Sequence, residues 1–277
     1  MTIFHVLILA IIQGLAELLP VSSSAHVILA EKLMGFDPSA PDMTFLLVML
    51  HTGTMFAVIV YFWSSWRKTY FSSKADFKKQ AGFIILATGI TCVLGLTLQA
   101  VIKHVFFAGA NHFEIEQLFS NSKLMAVALV SAGILIILSA RLDRGQTGVI
   151  SGKSAAWIGA IQALCLPFRG FSRSGATIST GLFLGVTRQK AEEFSFALAV
   201  VLTPAVVVKE FYRLMHAENF QNMHLTQLLL PSVLGMVFSF IAGLAALKWL
   251  SSWLEHGRWH LFGFYCIGFA SVVLVLS

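Results

Sequence analysis

Apolar runs close to 20 residues recur along the chain, at roughly 43–63, 81–103, 123–140, 191–210, 226–249 and 258–277. A helix of about 20 residues matches the ~30 Å hydrocarbon thickness of a bilayer. Backbone in lipid must satisfy its own hydrogen bonds, so a chain of this kind folds as a bundle of spanning helices. Only 12% of the 277 residues are charged, against about 25% in soluble domains. Mean hydropathy is +0.81, and the 24 Phe residues suit lipid-facing surface. The net charge of +6 does not point to nucleic acid, because the basic residues fall in short loops between apolar runs, where membrane orientation accounts for them. Cys92, Cys165 and Cys266 lie far apart in apolar runs. They have neither metal spacing nor the density of a disulfide framework, and read as small core residues. The N-terminal run followed by V-S-S-S-A could pass for a secretory signal. It lacks the basic n-region of one, since the first Lys or Arg is Lys32.

Two further apolar stretches, 3–36 and 154–188, are broken by Pro, Gly and Ser. Each is too long for one crossing and too interrupted for two. Irregular backbone at membrane depth survives only where protein or a water-filled cavity covers it. Both stretches are therefore expected to be re-entrant helical hairpins whose tips meet inside the protein. Loop charges set the orientation. Residues 64–80 hold Arg67, Lys68, Lys74, Lys78 and Lys79 against Asp76; residues 141–153 hold Arg141, Arg144 and Lys153 against Asp143; residues 248–258 hold Lys248 and Arg258 against Glu255. The opposite loops, 37–42, 103–123 and 209–224, have no basic excess. The first three are expected on the cytoplasmic side and both termini on the outer side.

The expected fold is an all-α polytopic membrane protein with six transmembrane helices and two re-entrant hairpins. The chain forms one membrane domain over 1–277, with hairpin-plus-three-spans repeated at about 1–145 and 150–277 in opposite orientation. Gln13, Pro20 and Ser22-Ser23-Ser24 in the first copy correspond to Gln162, Pro167 and Ser172-Arg173-Ser174 in the second, with one extra residue. Inverted repeats with broken helices suit secondary transporters, so a lipid-phosphate flippase or anion carrier is the alternative reading.

The residues at the breaks favour chemistry. Gln13 and Glu17 are four apart and share a helix face. Pro20 ends that helix, and Ser22, Ser23 and Ser24 are good N-caps for the next one. His26 lies one turn on. The second break, P-F-R-G-F-S-R-S-G-A-T, offers Gly170 and Gly175 for tight backbone, Ser172 or Ser174 as a cap, Thr177 in the first turn, and the planar fork of Arg173. Two helix N-termini, an Arg and several hydroxyls make a cradle for a diphosphate. Single serines in membrane helices often only bond back to the backbone. An ionisable group at membrane depth costs about 2.5–3.5 kcal/mol, however, so Glu17 and Arg173 together point to a site.

Q-x-x-x-E with L-P-V-S-S-S-A-H, together with G-F-S-R-S-G-A-T-I-S and F-S-F-x-L-A-V at 194–200, resembles the bacterial undecaprenyl-diphosphate phosphatase family of the bacitracin-resistance type. That family carries (E/Q)xxxE, P-V-S-S-x-x-H and P-G-x-S-R-S-x-x-T, and the likeness extends over nearly the whole chain. Two positions depart from the pattern. Gln13 leaves one carboxylate fewer, and Arg169-Gly170 stands at the P-G step with Pro167 earlier. Arg169 either touches phosphate or faces headgroups; His51 either lines the cavity or packs between helices.

The resemblance implies hydrolysis of undecaprenyl diphosphate to undecaprenyl phosphate and inorganic phosphate, recycling the lipid carrier for cell-wall polymers and conferring bacitracin resistance. It implies residence in the bacterial inner membrane with a pocket open to the periplasmic side. A phosphatase acting on another lipid phosphate is the rival within enzymes. The expected catalytic residues are Ser23 as nucleophile, His26 as proton acceptor, Arg173 and Glu17. Ser22, Ser24, Gly170, Ser172, Ser174 and Thr177 are expected to hold substrate, and Glu17 with Gln13 a divalent cation, Mg²⁺ or Ca²⁺. Direct attack by water stays open beside a phosphoserine. The expected partners are the lipid substrate and membrane lipids, with monomer and homo-oligomer both allowed.

Overall fold

The computed structural model describes residues 1–37, 41–106, 121–142, 147–215 and 225–276. Parts of the expected outer loops, at 38–40, 107–120 and 216–224, lie outside the described residues, as do residues 143–146 of the expected inner loop and residue 277. The described residues are helical throughout: α1 Ile3–Leu18, α2 Ser23–Leu33, α3 Pro41–Thr69, α4 Lys74–Phe106, α5 Ser122–Leu142, α6 Gly152–Leu164, α7 Arg173–Phe183, α8 Arg188–Met215, α9 Leu225–Glu255 and α10 Trp259–Leu276. Five helices are long and apolar enough to cross a membrane, at Met43–Thr69, Lys74–Val105, Ser122–Leu142, Leu229–Glu255 and Trp259–Leu276. The sequence leads one to expect a sixth. Its counterpart is α8, a 28-residue helix that is not among the five.

Several helices outrun the apolar runs that predict them. α4 begins at Lys74 rather than near 81 because Ser73 caps it: Asp76 N donates to Ser73 Oγ at 3.1 Å, and Ser73 Oγ and Ser72 Oγ donate to Asp76 Oδ2 at 2.7 and 2.8 Å. Arg67 and Lys68 therefore ride on the last turn of α3, and Lys74, Lys78 and Lys79 on the first turns of α4. Long basic side chains on such protruding turns reach water while their stems cover apolar surface.

Both broken stretches fold as helical hairpins. Thr2 caps α1 and Ser151 caps α6, each through a capping box. α1 packs along α2, and α6 along α7. The ends of the first hairpin meet where the His5 and Phe36 rings lie edge to face at 5.1 Å. The second is clasped by Gly148 N donating to the Gly185 carbonyl at 3.1 Å and Thr187 N to the Gly148 carbonyl at 3.0 Å. The arms hold 16, 11, 13 and 11 residues. At 1.5 Å per residue all four fall short of ~30 Å.

The long helices hold the hairpins by close backbone approach. α1 packs on α9, α6 on α4, and α5 on α10. Gly133 and Gly263 face one another: a Cβ on either would sit 2.6–2.7 Å from the other's carbonyl oxygen. A Cβ on Gly53 of α3 would lie 2.2 Å from the Met236 carbonyl of α9. Small residues at helix crossings are how membrane helices gain packing without a hydrophobic drive. Hydroxyls add glue: the Trp259 indole N–H donates to Ser139 Oγ at 3.0 Å, and Ser239 Oγ to the Leu50 carbonyl at 2.9 Å. Overpacking such a crossing costs about 1–3 kcal/mol. Gly53→Ala is expected to lower the melting temperature in detergent. Gly82→Ala, where nothing lies within 4 Å, is expected to leave it unchanged or raise it. Equal melting of the two variants would refute this account of the α3–α9 crossing.

Candidate active site

The two hairpin tips meet at Glu17 and Arg173. Glu17 ends α1 one turn before Pro20, and Arg173 opens α7. Arg173 Nη2 donates to Glu17 Oε1 at 2.7 Å, with 21% and 15% of the two side chains exposed. Ser174 Oγ reaches the Leu19 carbonyl at 3.4 Å, a second tie between the tips. Beside them lies a cavity of about 100 Å³, lined by Glu17, Ser22, Ser23, Ser24, Ser172, Arg173 and Ser174, with Ala16, Cys165, Phe168 and Phe171. It suits a phosphate group rather than a prenyl chain.

The two helix starts differ. At α7, Ser172 is the cap: its Oγ accepts from Gly175 N at 3.2 Å. At α2 the cap position is Ser22, with φ of 69°, and its side chain makes no cap bond. Among the described residues it is the one non-glycine with positive φ, a conformation that strains an L-residue by about 1–3 kcal/mol. Its hydroxyl pairs with Ser24 Oγ at 3.3 Å. Both serines line the cavity, and the first turn of α2 presents N–H groups that have no intrahelical partner.

Glu17 organises the rest. With Oε1 on Arg173, its Oε2 accepts from Ser23 Oγ at 2.5 Å and from Gln13 Nε2 at 3.2 Å. Gln13 Nε2 also lies 2.9 Å from His51 Nδ1. A carboxylate needs a donor, so Gln13 turns its NH₂ toward Glu17. The same group then donates to His51 Nδ1, leaving the His51 ring proton on Nε2. His51 thus belongs to the site as a neighbour of Glu17, at 3.5 Å. Gln13 is fully buried, and its Oε1 has no hydrogen-bond partner among the described residues.

An orphaned amide oxygen near a carboxylate offers the oxygen donors that a hard divalent cation takes. Among the described residues no three His, Cys, Asp or Glu side chains converge as a metal cage. A cation here would draw its remaining ligands from substrate phosphate and water, as Mg²⁺ commonly does.

Three sequence-predicted residues lie elsewhere than expected. His26 faces away from Ser23: its Nδ1 bonds the Ser22 carbonyl at 2.8 Å and its Nε2 meets Tyr265 Oη at 2.8 Å. The group on the Ser23 hydroxyl is Glu17, because the turn at Ser22 aims Ser23 at the end of α1. Thr177 does not line the cavity; its hydroxyl is spent on the Arg173 carbonyl at 2.8 Å and on Ser195 Oγ at 2.6 Å, which ties α7 to α8. Gly170, with φ of 103°, packs against α5, where a Cβ would come 2.5 Å from the Met125 carbonyl. Tyr265 carries no sequence signal beyond its polarity and size; Ser195, Phe168 and Phe171 lie in the stretches F-S-F-x-L-A-V and P-F-R-G-F-S-R-S-G-A-T, whose patterns assign them no role. Tyr265 is 239 residues from the histidine it meets.

Comparison with known proteins agrees with these motifs. Residues 6–272 match the family model described as bacitracin resistance protein BacA. Undecaprenyl-diphosphatase 2 of Acinetobacter baylyi is 74% identical over 100% of this chain and 99% of its own length. Undecaprenyl-diphosphatase of Desulfosudis oleivorans is 35% identical over 96% of each chain. The enzyme of that name from Desulfitobacterium hafniense is 31% identical over 99% of this chain and 95% of its own. A match over nearly the full length, with the Glu17, Ser23 and Arg173 motifs brought into one cavity, means that the chain belongs to the bacitracin resistance protein BacA family.

Proposed function

We propose that this protein is an undecaprenyl-diphosphatase that hydrolyses undecaprenyl diphosphate to undecaprenyl phosphate and inorganic phosphate, recycling the lipid carrier. The observation that carries the reading is the Ser23 hydroxyl on the Glu17 carboxylate, in a cavity shared with Arg173. A carrier needs donors for an anion but no nucleophile and base. The relatives bear phosphatase names, and the transporter alternative has no support.

In the mechanism we infer, the terminal phosphate enters between the N-termini of α2 and α7. Glu17 Oε2 takes the proton of Ser23 as Oγ bonds to the terminal phosphorus and the P–O bond to the lipid phosphate breaks. The proton passes to the departing phosphate oxygen. Water then attacks the phosphoserine phosphorus, Glu17 takes its proton, and as the P–Oγ bond breaks Glu17 returns a proton to Ser23 Oγ and inorganic phosphate leaves. Arg173 and the helix-start N–H groups hold charge on the equatorial oxygens, and such positioning is most of what phosphoryl transfer asks of a protein. Glu17 and Gln13, with His51 adjoining, would hold Mg²⁺ or Ca²⁺, whose charge would offset that of the diphosphate. Ser22, Ser24, Ser172 and Ser174 contribute further polar contacts along the wall.

The finer architecture belongs to the same proposal: six spans, with α8 the sixth, and two re-entrant hairpins in one inverted-repeat domain. Its support is the paired packing of α1 on α9 and α6 on α4, and of α1 on α2 and α6 on α7, with hydroxyl caps opening both α1 and α6. Arg67, Lys68, Arg188, Lys190 and Arg258 share one end of the bundle, where Lys190 Nζ reaches Thr69 Oγ1 at 3.0 Å and Arg188 Nη1 the Glu255 carbonyl at 2.8 Å. The positive-inside rule makes that end cytoplasmic. The protein then lies in the bacterial inner membrane with its cavity facing the periplasm, where spent carrier arises.

Purified protein in detergent is expected to release phosphate from undecaprenyl diphosphate. Ser23→Ala is expected to lower kcat at least about 100-fold without a change in melting temperature. A rate within a few-fold of the parent would hand the attack to water. Arg173→Lys keeps the ion pair but loses the bidentate fork; kcat/KM is expected to fall at least about tenfold, or ~1.4 kcal/mol. Gln13→Glu places a second carboxylate beside Glu17, so half-saturation in a Mg²⁺ or Ca²⁺ titration of binding is expected to move to lower concentration. An unshifted titration would remove position 13 from the cation site.

A further inference from the structure

We propose that Tyr265 is a positioning residue of this site: from α10 it fixes His26, and His26 in turn holds the left-handed turn at Ser22 that aims Ser23 at Glu17. The inference rests on the phosphatase reading for its kinetic consequence, but not for its geometry. A carbonyl only accepts hydrogen bonds, so His26 Nδ1, 2.8 Å from the Ser22 carbonyl, carries the ring proton. In the neutral ring Nε2 is then a lone pair, and the Tyr265 hydroxyl donates to it at 2.8 Å. Phe269 lies flat on the imidazole, with ring centroids 3.8 Å apart and planes 1° from parallel. A bond at each nitrogen and a ring on the face leave His26 a single orientation.

That orientation bears on the strained turn. The Ser22 carbonyl receives both His26 Nδ1 and, at 3.4 Å, the His26 backbone N–H. These bonds are made where φ is 69°, the position that would otherwise relax toward an extended conformation. The next residue is Ser23. Its hydroxyl is already engaged by Glu17, which leaves His26 as a brace rather than as the proton acceptor the motif suggests. The neighbouring Cys266 donates its thiol to the Pro20 carbonyl at 3.3 Å. Two consecutive residues of α10 thus grip the chain on either side of the serines, at residues 20 and 26. Tyr265 is 49% exposed on a largely apolar helix, and its hydroxyl finds a polar partner in His26.

Tyr265→Phe removes the hydroxyl and keeps the ring. In detergent, kcat for phosphate release is expected to fall about tenfold with KM within about twofold, the pattern of lost transition-state alignment, while the melting temperature stays put. On a His26→Gln background the same substitution is expected to add no further loss, because it acts through His26. Nitrogen NMR of histidine-labelled protein, with His26 assigned from the His26→Gln spectrum, is expected to show the Nδ1–H tautomer in the parent and a tautomer mixture in Tyr265→Phe. Parental kcat in Tyr265→Phe, additive losses in the double variant, or an unchanged His26 spectrum would each overturn the proposal. Absence of phosphate release from the parent protein would instead sink the phosphatase reading, and the NMR comparison would still decide the role of Tyr265.

Discussion

The ion pair between Glu17 and Arg173 is the contact on which the interior depends. Each residue closes or opens a helix at a hairpin tip, and each would be costly at membrane depth alone. Together they are still expensive: burying a pair seldom gains much over apolar packing, while stranding one partner costs about 3–5 kcal/mol. Such a pair persists for what it specifies. It fixes the two tips against one another, and it leaves Glu17 Oε2 free for Ser23 and Gln13 while Oε1 is held. The cavity lies beside the point where this pair holds the tips together.

Around the pair, the bundle spends few apolar side chains on specificity. Lipid tails solvate Leu and Phe as well as protein does, so the crossings rely on glycines and hydroxyls. The mutual contact of Gly133 and Gly263 and the seat of Gly53 on the Met236 carbonyl set how closely helices approach. Hydroxyl bonds such as Thr177 to Ser195 then fix rotation. Thr177 therefore serves the site from behind, by keeping α7 turned so that Arg173 meets Glu17.

Much of this was legible in the chain. Five of the six expected span positions follow from length and hydropathy, and both breaks follow from Pro20, Pro167 and the serine clusters beside them. That Glu17, Ser23 and Arg173 share a cavity was readable because isolated charges at membrane depth need one another. Direction was harder. The motif spacing sets His26 one turn beyond Ser22 and Ser23, which suggests a nucleophile and base, but the φ of 69° at Ser22 sets α2 so that Ser23 meets Glu17, while the His26 ring is taken by the Ser22 carbonyl and Tyr265. No local pattern announces a left-handed serine. Tyr265 was hidden for a different reason: it sits among apolar residues with no motif, and only the packing of α10 on α5 and α2 brings it to its partner. Helix ends were misplaced where caps such as Ser73 extend a helix past its apolar run.

On the re-entrant architecture proposed above, a polar cavity at mid-depth would create a hazard of its own, because a water file through the bilayer would let protons and ions cross. The far side of the Glu17–Arg173 pair bears on this. There the pair borders a void of only about 10 Å³, walled by Leu18, Thr54, Met55, Val58, Ala199, Val200 and Thr203, scarcely the space of one water. The same two residues that line the cavity would then also narrow the passage beyond it. A substitution that loosens them would, on that architecture, threaten the insulation of the membrane as well as the chemistry, and a cell could suffer from a leaky variant that still turns over substrate.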